Sequence, residues 1–212
     1  MKKTALILFL TVFAASAVFG ASSRQNRGDS FIFIGYTPVG LHLATLFSQP
    51  FSFGVILGET LEIGVEIGSW EDSDNDDDVT FDAEFNNKGV FMRWFPGNSF
   101  YFSLSAHKRE WTLTATSTLS TGTVALATVT TTADVIGIGI GNQWMFDFGL
   151  YIGVDWVMLS GAASSDKTVT ISSALTAAES AEARSDFEDA GDTLNDWSGL
   201  SGAVILTVGW AF

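Results

Sequence analysis

From residue 51 to the C-terminus the chain alternates apolar and small or polar residues with a period of two, and no apolar run in that stretch approaches the length of a membrane-spanning helix. Phe51, Phe53, Val55 and Leu57 alternate with Ser52, Gly54 and Ile56. After Gly58-Glu59-Thr60, Leu61, Ile63, Val65 and Ile67 alternate with Glu62, Gly64, Glu66 and Gly68. Val79, Phe81, Ala83 and Phe85 follow opposite Thr80, Asp82 and Glu84. The phase then slips across Asn86-Asn87-Lys88-Gly89, where a β-bulge is expected, so that Val90, Met92 and Trp94 return to the apolar face with Arg93 opposite. Phe100, Phe102, Leu104 and Ala106 come after the Pro96-Gly97-Asn98 turn. Further strands carry Ile136, Ile138, Ile140, Trp144 and Phe146; Leu150, Ile152, Val154, Trp156 and Met158; and Val204, Leu206, Val208, Trp210 and Phe212. That makes seven. An eighth lies in Phe31 to Phe47, where FIFIGY and VGLHLATLF are both candidates.

A sandwich in water also alternates, so the kind of residue on each face decides between architectures. The non-apolar face is mostly Gly, Ser and Ala with scattered charges, which suits the cramped lumen of a narrow barrel better than a face open to water. Gly (21) and Phe (18) are abundant while Pro (3) is scarce, and Pro is the residue a sheet interior tolerates least. The connections near Glu59, Gly97 and Asp147 are short. Those at 71–78, 116–130 and 161–199 are long and polar, with the Thr-rich segment Thr112 to Thr132 extending its neighbouring strands. Short turns on one side and long loops on the other are the pattern of an outer-membrane barrel. The reading is therefore all-β: an eight-stranded antiparallel up-and-down transmembrane β-barrel over residues 29–212. Aromatic residues near the short turns form an interfacial girdle: Trp94, Phe95, Phe100 and Tyr101 at one, Trp144, Phe146, Phe148 and Tyr151 at another, and Trp210 and Phe212 at the end.

Lys2 and Lys3 precede an apolar run from Ala5 to Ala15, which reads as a signal peptide over 1–20 cleaved after Ala17 or Gly20. Export places the barrel in the outer membrane of a Gram-negative bacterium. The chain has no cysteine, which removes disulfides, thiolate metal sites and a cysteine nucleophile. Its net charge is −14, more acidic still without the leader, which excludes nucleic acid as a partner.

Together with these features, the terminal SGAVILTVGWAF resembles the small outer-membrane barrels of the OmpA/OmpX or OmpW kind. The resemblance is one of pattern and terminal signature over nearly the whole chain past the leader. It implies that Phe212, with Trp210, is the assembly signal read by the barrel-assembly machinery, and that outer-membrane lipid and lipopolysaccharide surround a monomer.

Charged residues on the lumen face are Glu62, Glu66, Asp82, Glu84, Arg93, His107, Arg109 and Asp155, an expected ion-pair network in which acids outnumber bases. No catalytic residue and no cofactor are expected. Neither His42 nor His107 has Ser two residues later, unlike the His-x-Ser-Asn motif of lipid A deacylase barrels. The acidic run Glu71 to Asp78 has Asp72, Asp74 and Asp76 at calcium-loop spacing. It lacks Gly at the sixth position and Glu at the twelfth, leaving at most a loose Ca²⁺ or Mg²⁺ site. In the last long loop, Ser185 and Glu188 form a capping box ahead of Phe187, Ala190, Leu194 and Trp197 on one helical face, so a short helix is expected there. Function on this reading is non-enzymatic, structural or adhesin-like. A narrow passive channel of the OmpW kind comes second, and a lipid-modifying barrel enzyme third.

Overall fold

A computed structural model describes residues 23–76, 78–118 and 122–212. The expected signal peptide lies outside the described residues. Eight strands run in chain order: β1 (Ile32–Leu41), β2 (Phe51–Leu57), β3 (Leu61–Asp76), β4 (Val79–Trp94), β5 (Phe100–Thr118), β6 (Val124–Met145), β7 (Leu150–Ile171) and β8 (Gly202–Ala211). Each pairs antiparallel with the next, and β1 pairs with β8, so the sheet closes into a barrel. Three helices accompany it: α1, described over residues 23–28, α2 (Leu43–Ser48) and α3 (Ala177–Ser198).

The first strand joins parts of both candidate segments. It runs from FIFIGY into VGL, and its register with β8 breaks between Tyr36 and Val39, around Pro38, which has no N–H to give to a ladder. The rest of the second candidate is α2. Its C-cap Gln49 is left-handed (φ 41°), and Pro50 follows before β2 begins.

Of the polar segments expected as loops, 71–78 and 116–130 are mostly paired strand, and 161–199 is strand as far as Ile171 and helix from Ala177. β3 and β4 stay paired to Asp76↔Val79, β5 and β6 to Thr118↔Val124, and β6 and β7, across two register shifts, to Ala127↔Ile171. The Thr-rich segment does extend its strands. Because β2 begins at Phe51 and β8 at Gly202, the five strands β3 to β7 rise past the barrel as an open sheet.

No bulge occurs at residues 86–89. β4 pairs without interruption with both β3 and β5. The hydrophobic phase slips there for another reason, which is that the surroundings of the outer face change. Below Lys88 the outward side chains are Val90, Met92 and Trp94, all exposed, and the inward ones are Phe91 and Arg93, both buried. Above it the outward ones are Asn86, Glu84 and Asp82, while Phe85 turns inward and is fully buried. The same reversal occurs in β5, where Leu104 points out and Trp111, past Lys108, points in. Such a reversal is what a strand passing from lipid into water requires.

Bulges lie instead in β7. Ile140 pairs with Val157 and Gly141 with Asp155, so Trp156 is the extra residue and Met158 turns inward rather than outward as alternation from Leu150 implies.

The inward apolar face above the reversal needs a cover, and α2 and α3 supply it. Phe85 and Trp111 (ring centroids 4.4 Å apart) pack with Phe47, Trp70 and Leu194. α3 is one helix of 22 residues rather than a short one beginning near Ser185. Its capping box is Thr176 with Glu179: the Glu179 amide donates to the Thr176 hydroxyl at 3.4 Å, and the Glu179 carboxylate accepts from the Thr176 amide at 2.9 Å. The Thr176 hydroxyl also donates to the Glu179 carboxylate at 2.6 Å, and this bond first, with the Thr176 amide's second, holds the Glu179 carboxyl below its usual pKa. Ser185 is mid-helix because alanine-rich turns propagate the helix from the earlier cap. Phe187, Ala190, Gly191, Leu194 and Ser198 form the covered face, while Trp197 is exposed. Gly191 lies against Lys167 and Val129, where any Cβ would collide, and Lys167 Nζ donates to the Glu188 carbonyl at 2.9 Å and the Asp192 carboxylate at 2.6 Å.

Phe85→Ala should cost about 3–5 kcal/mol of stability by opening a cavity in this cluster, and should speed amide hydrogen exchange along α3. The lipid-facing Phe102→Ala should leave that exchange unchanged. Equal protection of α3 in both variants would show that the helix does not rest on the aromatic cluster.

Candidate functional site: the barrel lumen

Alternation turns one residue in two into the barrel, and eight strands leave an interior only as wide as side chains can fill. Three tiers fill it. At the short-turn end, α1 is tied to all three turns. Arg27 donates to the Glu59 carbonyl at 2.9 Å and the Asn98 carbonyl at 3.1 Å, and Asn26 donates to Asp147 at 3.0 Å. The Arg27 guanidinium stacks 3.4 Å from the Phe95 ring centroid and lies 3.6 Å from Glu62, and neither its side chain nor that of Glu62 is exposed. Arg24 and Glu59 pair at 2.5 Å on the surface, a contact that contributes little.

In the middle tier, Glu62 on β3 lies directly across from Arg93 on β4. Arg93 stands between two acids, 3.7 Å from Glu62 and 4.0 Å from Asp155, and Tyr101 Oη donates to Asp155 at 2.7 Å. The small residues of the inner face make room for this tier. Gly209 and its neighbour Gly35 form a trough that the Tyr151 side chain occupies, and a Cβ on either would collide with its hydroxyl. Gly141 does the same for the Tyr101 ring.

In the upper tier, Asn87 donates to Glu66 at 3.0 Å, and His107 lies 3.8 Å from the same carboxylate. Arg109, 1% exposed, ties three elements together: it donates to the Ser198 carbonyl of α3 at 2.5 Å and to Asn87 at 3.4 Å, and meets His42 Nε2 at 3.1 Å. The space left between tiers is a cavity of about 40 Å³ bordered by Glu66, Ser103, His107, Asp155 and Thr207. That is room for a few waters at most.

Six of the eight expected lumenal charges thus come together: Glu62, Glu66, Arg93, His107, Arg109 and Asp155. Asp82 and Glu84 do not. They lie above the reversal on the outer face, and Glu84 is opposite Glu71. The network gains Arg27, which sits outside any alternating strand, and His42, which lies between β1 and α2. With these changes the acids no longer exceed the bases, since Glu62, Glu66 and Asp155 face Arg27, Arg93 and Arg109. Tyr101, Tyr151 and Phe95, expected in the girdle, are fully buried inside, whereas Trp94, Phe102, Phe148, Trp210 and Phe212 are exposed on the outside.

The acidic run is strand rather than loop as far as Asp76, which spaces same-face carboxylates about 7 Å apart along the chain. Asp72 and Asp74 accept from the amides of Ser73 at 3.0 Å and Asn75 at 2.9 Å. Among the described residues no group of three His, Cys, Asp or Glu side chains could hold a metal ion.

A closed antiparallel barrel that is apolar outside and filled with charged and aromatic side chains inside is a membrane-spanning β-barrel, and that is the class this fold and lumen define. No family model and no curated protein matches the sequence. Among solved structures the chain is similar to a major outer membrane protein from Thermus thermophilus, with 10% identity, 86% of this chain and 98% of the other covered, and a TM-score of 0.49. It is also similar to Acinetobacter baumannii CarO2 (10% identity, 86% and 99% covered, TM-score 0.40) and CarO (13%, 86% and 96%, 0.35).

Glu62→Ala leaves two buried guanidinium groups without their shared carboxylate. It should lower the unfolding free energy by about 3–5 kcal/mol in a urea titration of the detergent-refolded protein. Glu84→Ala, outside the network, should change it by no more than about 0.5 kcal/mol. Equal losses in the two variants would contradict the lumenal network.

Proposed function

We propose that the chain is a non-enzymatic barrel of the outer membrane, a closed anchor that carries a folded extracellular sheet and helix in a structural or surface-interaction role. The observation that carries this reading is the lumen, which is occupied in three tiers by side chains whose charges balance. Arg27 of α1 lies at one end and α3 over the other.

The short turns are then periplasmic and the extended β3–β7 sheet extracellular, in keeping with the asymmetry of such barrels. Closure by β1 and β8 of one chain supports a monomer. Phe212 contributes to that closure through its backbone, with its N–H donating to the Ile32 carbonyl at 2.9 Å, and its exposed ring is free to serve as the assembly signal. His107 is met by Glu66 but is enclosed in the lumen, out of reach of a lipid substrate, which favours the non-enzymatic reading.

Planar-bilayer recording separates an anchor from a passive channel. The unmodified protein should give no sustained current. Arg93→Ala, which removes the guanidinium between Glu62 and Asp155, should admit water and cations and give a measurable conductance. Large, stable currents from the unmodified protein would reject the closed anchor in favour of a channel.

A further inference from the structure

Two cations lie side by side on the outer surface, neither of them held in an ion pair. Lys88 on β4 and Lys108 on β5 are direct cross-strand partners, both exposed. Neighbours in that relation have Cβ atoms about 5 Å apart, and like charges so placed repel. Arg24, Arg27, Arg93 and Lys167 are in ion pairs, and Arg109 is satisfied by Ser198, Asn87 and His42. Among the described residues, Lys88 and Lys108 have no ion pair. Asp134 lies across from Lys108 on β6 and keeps its charge, but it forms no ion pair with the lysine and instead accepts from the Ser164 hydroxyl at 2.8 Å. In a chain of net charge −14, two adjacent lysines outside any ion pair are a local exception.

Its position is as specific as its charge. Val90 and Ala106 are the outward residues just below, so the pair forms the first polar row above the apolar belt, at headgroup depth. The two lysines face an open groove of about 680 Å³. The groove exists because β2 reaches only to Phe51, where the chain comes from α2, leaving β3 without a neighbour on its β2 side above Ile67. Phe51 and Ile67 form its apolar wall, and the lysines, Asn86 and Asn86's cross-strand partner Glu110 its polar side. Phe51 also borders a second, apolar groove of about 340 Å³ lined by Ile34, Tyr36, Val208 and Trp210, which continues down the lipid-facing side.

We infer that Lys88 and Lys108 hold the phosphate of an outer-leaflet lipid headgroup, with an acyl chain of that lipid lying along Phe51 and the apolar groove below. This rests on the outer-membrane reading above. Charge complementarity selects an anion, and the apolar wall selects one carried on a lipid. Glu110, across from Asn86 in the row above, confines the anion to the row of the two lysines.

The test uses the full refolded chain in a zwitterionic detergent, with binding read by native mass spectrometry. The probes are a diphosphorylated lipid A, the same lipid with its phosphates removed, and inorganic phosphate. The unmodified protein should prefer the phosphorylated lipid by on the order of tenfold or more. Lys88→Gln/Lys108→Gln should abolish that preference, and Arg184→Gln, an exposed cation on α3, should retain it. Inorganic phosphate should not compete at equal concentration. The double variant should also be at least as thermostable as the parent in this detergent, since the repulsion between the lysines is gone.

An unchanged preference in the double variant, or competition by inorganic phosphate, would overturn the lipid site. So would the same loss in Arg184→Gln, or a double variant less stable than the parent. Membrane location is read separately, by fractionating cells that express the protein, so failure of the lipid site and failure of the outer-membrane reading are distinguishable.

Discussion

Lipid offers a peptide group no hydrogen-bond partner, so every N–H and C=O at membrane depth has to be satisfied within the protein. In this chain that requirement is met by β1 pairing with β8, which leaves the sheet without an edge in the membrane. The dimensions of the interior follow from the number of strands. Eight strands leave an interior only as wide as side chains can fill, and tyrosines from β5 and β7 enter only because glycines on the adjoining strands have no side chain to displace. Charges enclosed there must compensate one another, and Glu62 between two guanidinium groups, with Arg93 between two acids, is the arrangement that does so.

Beyond the membrane the same strands obey the opposite rule. Five of them continue into water, where the outer face becomes polar and the inner face apolar, and the inner face then needs helices to cover it. Phe85 and Trp111 under Phe47 and Leu194 form a small water-soluble core on top of a membrane barrel. Arg109 joins the two regimes, since it belongs to the lumen by position and to α3 by its bond to Ser198. Lys88 and Lys108 stand on the row where one regime gives way to the other.

Much of this was legible in the sequence because the side-chain period of a strand is independent of what surrounds it. Seven of the eight strands, the short turns and six of the lumenal charges follow from counting alternate residues. What a period cannot carry is the sign of each face, and the slip at Asn86–Gly89 has two readings: an extra residue, or a change from lipid to water. Taking the first put Asp82 and Glu84 inside. The same ambiguity left Tyr101, Tyr151 and Phe95 in the girdle, since an aromatic near a turn points in or out according to parity alone. The bulge at Trp156 left no mark, because Trp, Val and Met are all apolar. Arg27 and His42 lie outside the alternating strands and reach the lumen only through the placement of α1 and the break in β1. At α3 two capping boxes competed, and the earlier one, Thr176 with Glu179, starts the helix.

The central claim is that the strands change environment at the Lys88–Lys108 row, so that aromatics below it on the outer face meet lipid and aromatics above it on the inner face do not. Fluorescence quenching of single-tryptophan variants in vesicles of lipids brominated on their acyl chains measures this directly. Trp94, 50% exposed on the outer face, should be strongly quenched, and Trp111, 4% exposed beneath α2 and α3, should be nearly insensitive to the bromines. Quenching of Trp111 as strong as that of Trp94 would contradict the account.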